Sequence, residues 1–284
     1  MKRRLTEEPE VAKYIQLPPA KFKTIECAWD PEHLAYYLKA ADDFAQIYRD
    51  ARDSEKKNNL AILLAKLQAV QAALNIPQRG VEGMGPYSGL TSKQRAVLDY
   101  LVDLSREGRK GLLYCESPDT VKLLHKELKA RGIKTVQFHG GISIKARVKA
   151  KDEEFINGDA HHLLCTKASA RAGYNLPMCD EVIFYDRSWS AKTEGQAMHR
   201  PMRVERKEPV TVVYFHLPGS IDIYQDQMVK FKADAAKAGL DWAAPELEDE
   251  EFLHLSTVLQ NFVDDLAKIH NMTPSAMREI LKAA

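Results

Sequence analysis

Residues 194–206 read EGQAMHRPMRVER and place two arginines, Arg200 and Arg203, three positions apart, with Gln196 just upstream. Residues at that spacing share a face if the segment is helical. A guanidinium keeps its charge at every physiological pH and donates hydrogen bonds in a planar fork that matches phosphate oxygens. Two of them aimed together suit a polyphosphate. In phosphoryl transfer such a pair neutralises charge on the γ-phosphate, the role of an arginine finger. The competing reading is a solvated basic helix, because Lys192, Arg206 and Lys207 stand nearby. A second constellation runs from Cys165 to Arg171 with five residues between them. It fits a phosphatase loop in which a low-pKa thiolate attacks phosphorus. The residue before the cysteine is Leu164, not the usual histidine, and the loop holds no glycine. His161 and His162 could suggest a metal, but neighbours on a strand point to opposite faces.

The elements that must position these groups come from the hydrophobic pattern. Residues 111–117 (GLLYCES), 134–141 (KTVQFHGG), 161–166 (HHLLCT), 180–186 (DEVIFYD) and 209–215 (PVTVVYF) are short apolar runs. Helical segments separate most of them. One starts at Ser117-Pro118, an N-cap followed by a proline in the first turn, carries Val121, Leu124 and Leu128, and stops at Gly132. Apolar runs without polar alternation predict strands buried on both faces, hence a parallel α/β sheet with helices on either side. Ligands bind such sheets at the carboxyl ends of the strands. Ser117, His139, Gly140, Thr166 and Trp189 fall there.

The order GLLYCES, FHGGIS with Arg147, CTKASARAGYNL, VIFYDRSW and QAMHRPMR resembles the C-terminal RecA-like lobe of a superfamily-two helicase, with the nearest resemblance to the Snf family of double-stranded-DNA translocases. Thr166-Lys167-Ala168, Gly173-Tyr174-Asn175-Leu176, Asp186, Trp189 and the stretch from Gln196 to Arg203 carry it, and it covers roughly residues 1–238. The sequence departs from that family where Glu205-Arg206 replaces the usual Gly-Gln and where Trp189 is followed by Ser190-Ala191. The resemblance implies ATP and Mg²⁺ as cofactors. Arg200 and Arg203 would serve as catalytic residues with Gln196. Gly173, Asn175 and the two arginines would be nucleotide-binding. Ser117, His139, Gly140, Thr166, Lys167 and Trp189 would touch the backbone of double-stranded DNA.

A phosphate loop of the G-x-x-x-x-G-K-[ST] type does not occur in these residues, and no strand ends in an Asp-Glu pair suited to Mg²⁺. The expectation is therefore half an engine: a lobe that completes an ATPase only with a first RecA-like lobe, on the parent chain or on another polypeptide. The alternative is a non-catalytic DNA- or protein-binding module derived from such a lobe. Residues 1–90 are expected to form an inter-lobe linker and helical region, 91–240 the RecA-like lobe, and 241–284 a helical accessory tail that folding of the lobe does not need. The formal net charge of +1 means that DNA affinity must come from local basic patches, such as Lys145, Arg147, Lys149 and Lys151. Four cysteines without a C-x-x-C read as reduced, buried thiols. No apolar stretch is long enough for a bilayer. A cytoplasmic location is expected, or a nuclear one in a eukaryote, without membrane partners.

Overall fold

The computed structural model describes residues 20–53, 60–169, 174–188, 191–202, 206, 208–238 and 247–270. Among them, β1 (Ala20–Glu26) precedes α1 (Pro31–Asp53), α2 (Leu60–Asn75) and α3 (Ser92–Arg106). Then follow β2 (Gly111–Cys115), α4 (Pro118–Ala130), β3 (Thr135–Phe138), α5 (Ile144–Ala150), β4 (His162–Thr166) and β5 (Glu181–Phe184). The last elements are α6 (Ala191–Met198), β6 (Val210–His216), α7 (Ile221–Ala238) and α8 (Leu247–His270). The strands form one sheet in the order β1-β6-β5-β2-β4-β3. The pairs β2–β4, β2–β5, β3–β4 and β5–β6 are all parallel. The α/β expectation holds, with a RecA-like parallel sheet and flanking helices. β1 is an addition, because AKFKTIE has no apolar run and its residues are mostly exposed.

The chain divides into two compact units. The first comprises Met1–Ile25, Leu98–Tyr185 and Lys192–Tyr214, and it holds the sheet. Every residue of β2, β4 and β5 is buried, as strands covered on both faces require. Side chains alternate between the faces. Tyr114, Phe138, Cys165, Phe184 and Tyr214 share one cluster with Phe155, Leu176 and Cys179. On that face Tyr114 stacks on Phe184 at 5.7 Å and Phe184 on Tyr214 at 5.3 Å. The opposite face carries Gly111 and His162. A Cβ at Gly111 would meet His162 Nδ1 at 2.9 Å and Leu104 at 3.0 Å, so only glycine leaves room for the imidazole. His162 Nδ1 accepts from the Gly111 amide at 3.1 Å, which puts the ring proton on Nε2, 2.8 Å from the Leu101 carbonyl. Burial lowers its pKa to about 4. This histidine is a core hydrogen-bonding group with both nitrogens occupied.

Local signals fix the helices that matter for the site. Ser117 caps α4 by accepting from the Asp119 amide at 3.2 Å, and Pro118 starts the helix. The chain leaves through Gly132 at φ 77°, the left-handed region that favours glycine. α5 runs on into a π-helical turn, Lys151–Ile156, closed by the Asn157 amide donating to the Asp152 carbonyl at 3.0 Å. The Lys110 ammonium donates to the Phe155 carbonyl in that turn at 2.7 Å.

The second unit comprises Glu26–Val97, Asp186–Ala191 and Phe215–Ala284. α1 packs on α2, and α8 packs on α7 and α1. Phe262 of α8 is fully buried, 6.0 Å from the Phe44 ring and 5.2 Å from the Tyr224 ring. The Tyr48 hydroxyl donates to the Ser256 carbonyl at 3.0 Å. The sequence expectation is a helical tail over 241–284 that folding of the α/β lobe does not need; within that stretch, these contacts build α8 into the core of the second unit. A buried phenylalanine stabilises by about 1.5–3 kcal/mol relative to exposure. Among the described residues, no helix is long and apolar enough to cross a membrane.

Candidate nucleotide and nucleic-acid interface

The carboxyl ends of β2, β3 and β4 lie side by side in the first unit, since Cys115 pairs with Thr166 and Phe138 with Cys165. Hydrogen bonds lace these ends together. The Lys167 amide donates to the Cys115 carbonyl at 3.0 Å, extending the β2–β4 ladder by one residue. The Thr166 hydroxyl donates to Ser169 Oγ at 3.0 Å, and Ser169 Oγ donates to the Phe138 carbonyl at 2.6 Å. The side chains of Thr166 and Lys167 are therefore turned inward, 4% and 2% exposed. The Lys167 ammonium lies 3.7 Å from the Glu116 carboxylate, itself 66% exposed. What this edge presents to solvent is Glu116, Gly140 and the half-buried cap Ser117.

His139 is buried next to Gly140. Its Nδ1 accepts from the Gly141 amide at 3.1 Å, so the neutral ring carries its proton on Nε2, 3.3 Å from the Gln137 amide oxygen. Burial lowers the His139 pKa, and the positive charges of Lys122 and Arg147 lower it further. His139 thus shapes its loop as a neutral ring and does not offer a cation. Arg147 of α5 brings a guanidinium to this edge. Its guanidinium lies over the Phe138 ring at 5.2 Å, and among the described residues its buried Nε has no hydrogen-bond partner. The sequence named Arg147 within the ordered motifs and a basic helix face, but nothing in a linear pattern shows that it reaches back over β3.

The arginine segment departs from the helical reading. α6 ends at Met198, and Arg200 lies in the turn before Pro201. Proline lacks an amide donor and pushes the preceding residue out of helical backbone, so Gln196 and Arg200 do not continue one helical face. Arg200 is held instead by a neighbouring segment. Its carbonyl accepts from the Leu176 amide at 3.1 Å, and its Nη1 makes a long hydrogen bond, 3.5 Å, to the Tyr174 carbonyl. The structure so brings Arg200 beside Asn175, which is exposed, while Gln196 is exposed on α6. Arg203, Gly173, Trp189 and Arg171 lie outside the described residues.

The phosphatase reading fails on Cys165. Its side chain points into the cluster beneath the sheet, and burial pushes the thiol far above its usual range. A nucleophilic loop needs the opposite shift. Sequence reasoning named Tyr174 only as part of a motif and missed the packing role of Gly111, which carries the signal of a glycine opening a strand, where a close approach is expected.

Comparison with known proteins locates this arrangement. Residues 92–205 match the family described as the helicase conserved C-terminal domain. The chain is 27% identical over 132 residues to the chromatin-remodeling ATPase INO80 of Saccharomyces cerevisiae, covering 46% of this chain and 9% of that protein. The chain thus spans about a tenth of the length of this curated relative. Among solved structures, the C-terminal part of the Fun30 ATPase domain superposes with a TM-score of 0.63 at 15% identity, covering 75% of this chain and 89% of that one. The Sulfolobus solfataricus SWI2/SNF2 ATPase core in complex with dsDNA superposes with a TM-score of 0.62 at 18% identity, covering 94% of this chain and 53% of the other. At such identities the superpositions establish the fold. Residues 92–205 thus match a helicase C-terminal domain, the chain is similar there to Snf-type ATPases such as INO80, and it folds as a RecA-like lobe.

Proposed function

We propose that this lobe is the second half of an ATP-driven translocase on double-stranded DNA and works against a first RecA-like lobe. The supporting observation is the juxtaposition, at the ends of three neighbouring parallel strands within the matched span, of Ser117, His139-Gly140, Thr166 and Lys167. Ser117 and the amides around Gly140 contact phosphates, and Arg147 adds a guanidinium that the aromatic face of Phe138 supports. Thr166 and Lys167 form the floor beneath, where the Lys167 ammonium exchanges Glu116 for a phosphate oxygen. Trp189 adds to the contact with the duplex. Such contacts carry no base information, so binding is sequence-tolerant and weakens with salt.

At the nucleotide, a half-buried guanidinium beside an exposed asparagine fits the γ-phosphate side of a site. Arg200 and Arg203 neutralise charge there, Gln196 orients the attacking water, and Gly173 and Asn175 line the approach. ATP held with Mg²⁺ between two lobes supplies the phosphoryl-transfer chemistry. The residues of this chain contain no phosphate loop, so the first lobe holds the metal and the β-phosphate.

The test supplies a first lobe from an Snf-type ATPase and measures duplex-stimulated turnover. The chain alone is expected to be inactive. Arg200→Ala and Arg203→Ala each lower the reconstituted rate by on the order of 10³-fold, the scale of a lost arginine finger, with duplex affinity little changed. Near-wild-type turnover in both variants overturns the assignment. Duplex binding without turnover by any first lobe favours the passive-module alternative.

A further inference from the structure

Arg200 is not presented directly. It is tied to the 174–176 segment at both its carbonyl and its side chain, and that segment sits in a stack of cations and rings. Tyr174 meets the Phe138 ring edge-on, with centroids 5.0 Å apart and planes at 76°. The Lys151 ammonium lies over the Tyr174 ring at 5.0 Å, and Lys151 is 5% exposed. Arg147 covers the other ring of the pair, that of Phe138. Lys151 opens the π-turn, which orients its side chain towards Tyr174 while Phe155 stays buried. The sequence Arg147–Phe138–Tyr174–Arg200 is thus a continuous line of contacts from the strand-end edge to the candidate nucleotide arginine.

We propose that Tyr174, backed by Lys151, is a positioning residue that parks Arg200, and that a phosphate drawn to Arg147 releases it. This rests on the reading of the strand ends as a duplex-phosphate surface and of Arg200 as nucleotide-facing. The physical sense is as follows. A cation over an aromatic face is held by the ring quadrupole, and it loses that hold when it turns to a phosphate, whose full charge and fork-matched oxygens attract it more strongly. Phe138 then loses the partner that fixes its ring, the edge-on contact to Tyr174 loosens, and the long bond from Arg200 to the Tyr174 carbonyl is the first to open. Arg200 is freed to swing towards a nucleotide only when duplex is engaged, so turnover depends on DNA without any change in the ATP-contacting residues themselves.

The Leu176 amide, which donates to the Arg200 carbonyl, reports the parked state, because its hydrogen exchange follows local opening. The experiment measures that exchange in the isolated chain with and without a short DNA duplex, with binding followed in parallel by fluorescence anisotropy. Wild type is expected to exchange about five-fold faster or more when duplex is bound, the lower end of ordinary coupling between sites. Tyr174→Leu and Lys151→Met should exchange fast in both conditions and lose the response while still binding duplex. Tyr174→Phe, which keeps the ring, and Lys151→Arg, which keeps the cation, should behave as wild type. Cooperative melts of all variants confirm that each is folded. Bound duplex with unchanged Leu176 exchange overturns the coupling and leaves the duplex-binding reading standing. No duplex binding by the wild-type chain overturns that reading and the coupling with it. A Tyr174→Leu variant that responds like wild type overturns the role of the ring.

Discussion

Among the described residues three lysines are buried, Lys93, Lys151 and Lys167, and the first and last hold their carboxylates in different ways. Lys93, at the start of α3 in the second unit, is 0% exposed. Its ammonium lies 2.5 Å from an Asp222 carboxylate oxygen and 2.9 Å from the Asn75 amide oxygen, and both carboxylate and lysine are out of solvent. Lys167, at the end of β4 in the first unit, is 2% exposed, but its carboxylate partner is 3.7 Å away and mostly in water. A charge pair fully out of water must keep close geometry to offset its desolvation, and removing one partner leaves the other stranded. A pair with one partner in water is worth little, and its members can trade partners. Burial of a lysine therefore does not by itself separate architecture from function. The length of the ion pair and the exposure of the carboxylate do.

The largest expected effect falls on the tight pair. Lys93→Met should cost about 3–5 kcal/mol in urea unfolding, because Asp222 stays buried without its cation. Replacing both residues, as Lys93→Met with Asp222→Leu, should recover most of that loss. A single variant as stable as wild type would break the contrast at its stronger end. The support around Asp222 comes next. α7 carries both Asp222 and Tyr224, and Phe262 of α8 packs on Tyr224. Phe262→Ala should cost about 3 kcal/mol, at the low end for a buried phenylalanine. If the melt is unchanged, α8 is not part of the frame that presents Asp222.

A third test carries the contrast to a group buried without charge. His162 is held neutral, with a pKa of about 4 against an ordinary value near 6.5. The unfolded chain binds its proton first as pH falls. The stability contributed by neutral burial is therefore complete above about pH 6.5, declines between there and about pH 4, and is gone below. The loss amounts to at most about 3 kcal/mol. Unfolding free energies of wild type minus His162→Gln, measured from pH 7 to pH 4, should show that slope, and parallel curves would refute it. The smallest effect belongs to the loose pair. Through the Glu116 pair, Lys167→Met should change stability by less than about 1 kcal/mol. It should flatten the slope of log K against log salt for duplex binding by about 0.9, the share of one phosphate. A destabilised Lys167→Met with an unchanged salt slope would make Lys167 a second Lys93.

Much of the fold was legible because buried parallel strands declare themselves as apolar runs. The starts and stops around α4 were legible because Ser117, Pro118 and Gly132 each answer one backbone requirement. β1 was not, since an edge strand covered on neither face leaves no periodic signal. Pro201 announces the end of α6, because proline pushes the residue before it out of helical backbone. Lys93 stands in register with Val97 and Leu101 on the inward stripe of α3, so its burial was there to be read. The inward turn of Thr166 and Lys167 was not, because it depends on Ser169 and on a carbonyl of another strand. The Arg147–Phe138–Tyr174 line joins elements far apart in sequence and leaves no mark on any one of them.

The π-turn at Lys151–Ile156 closes with a bond from residue 157 to residue 152, one residue longer than the helical repeat. Its chain length is therefore a fixed quantity in a way that its composition is not. Deleting one residue there would let the segment wind as an ordinary helix and would turn everything after the deletion by about 100°. Phe155 would leave the space beneath the sheet, or Lys151 would leave Tyr174, and no substitution elsewhere could return both. This stretch should accept changes of residue type at its exposed positions, Glu153 and Glu154, while tolerating neither insertion nor deletion.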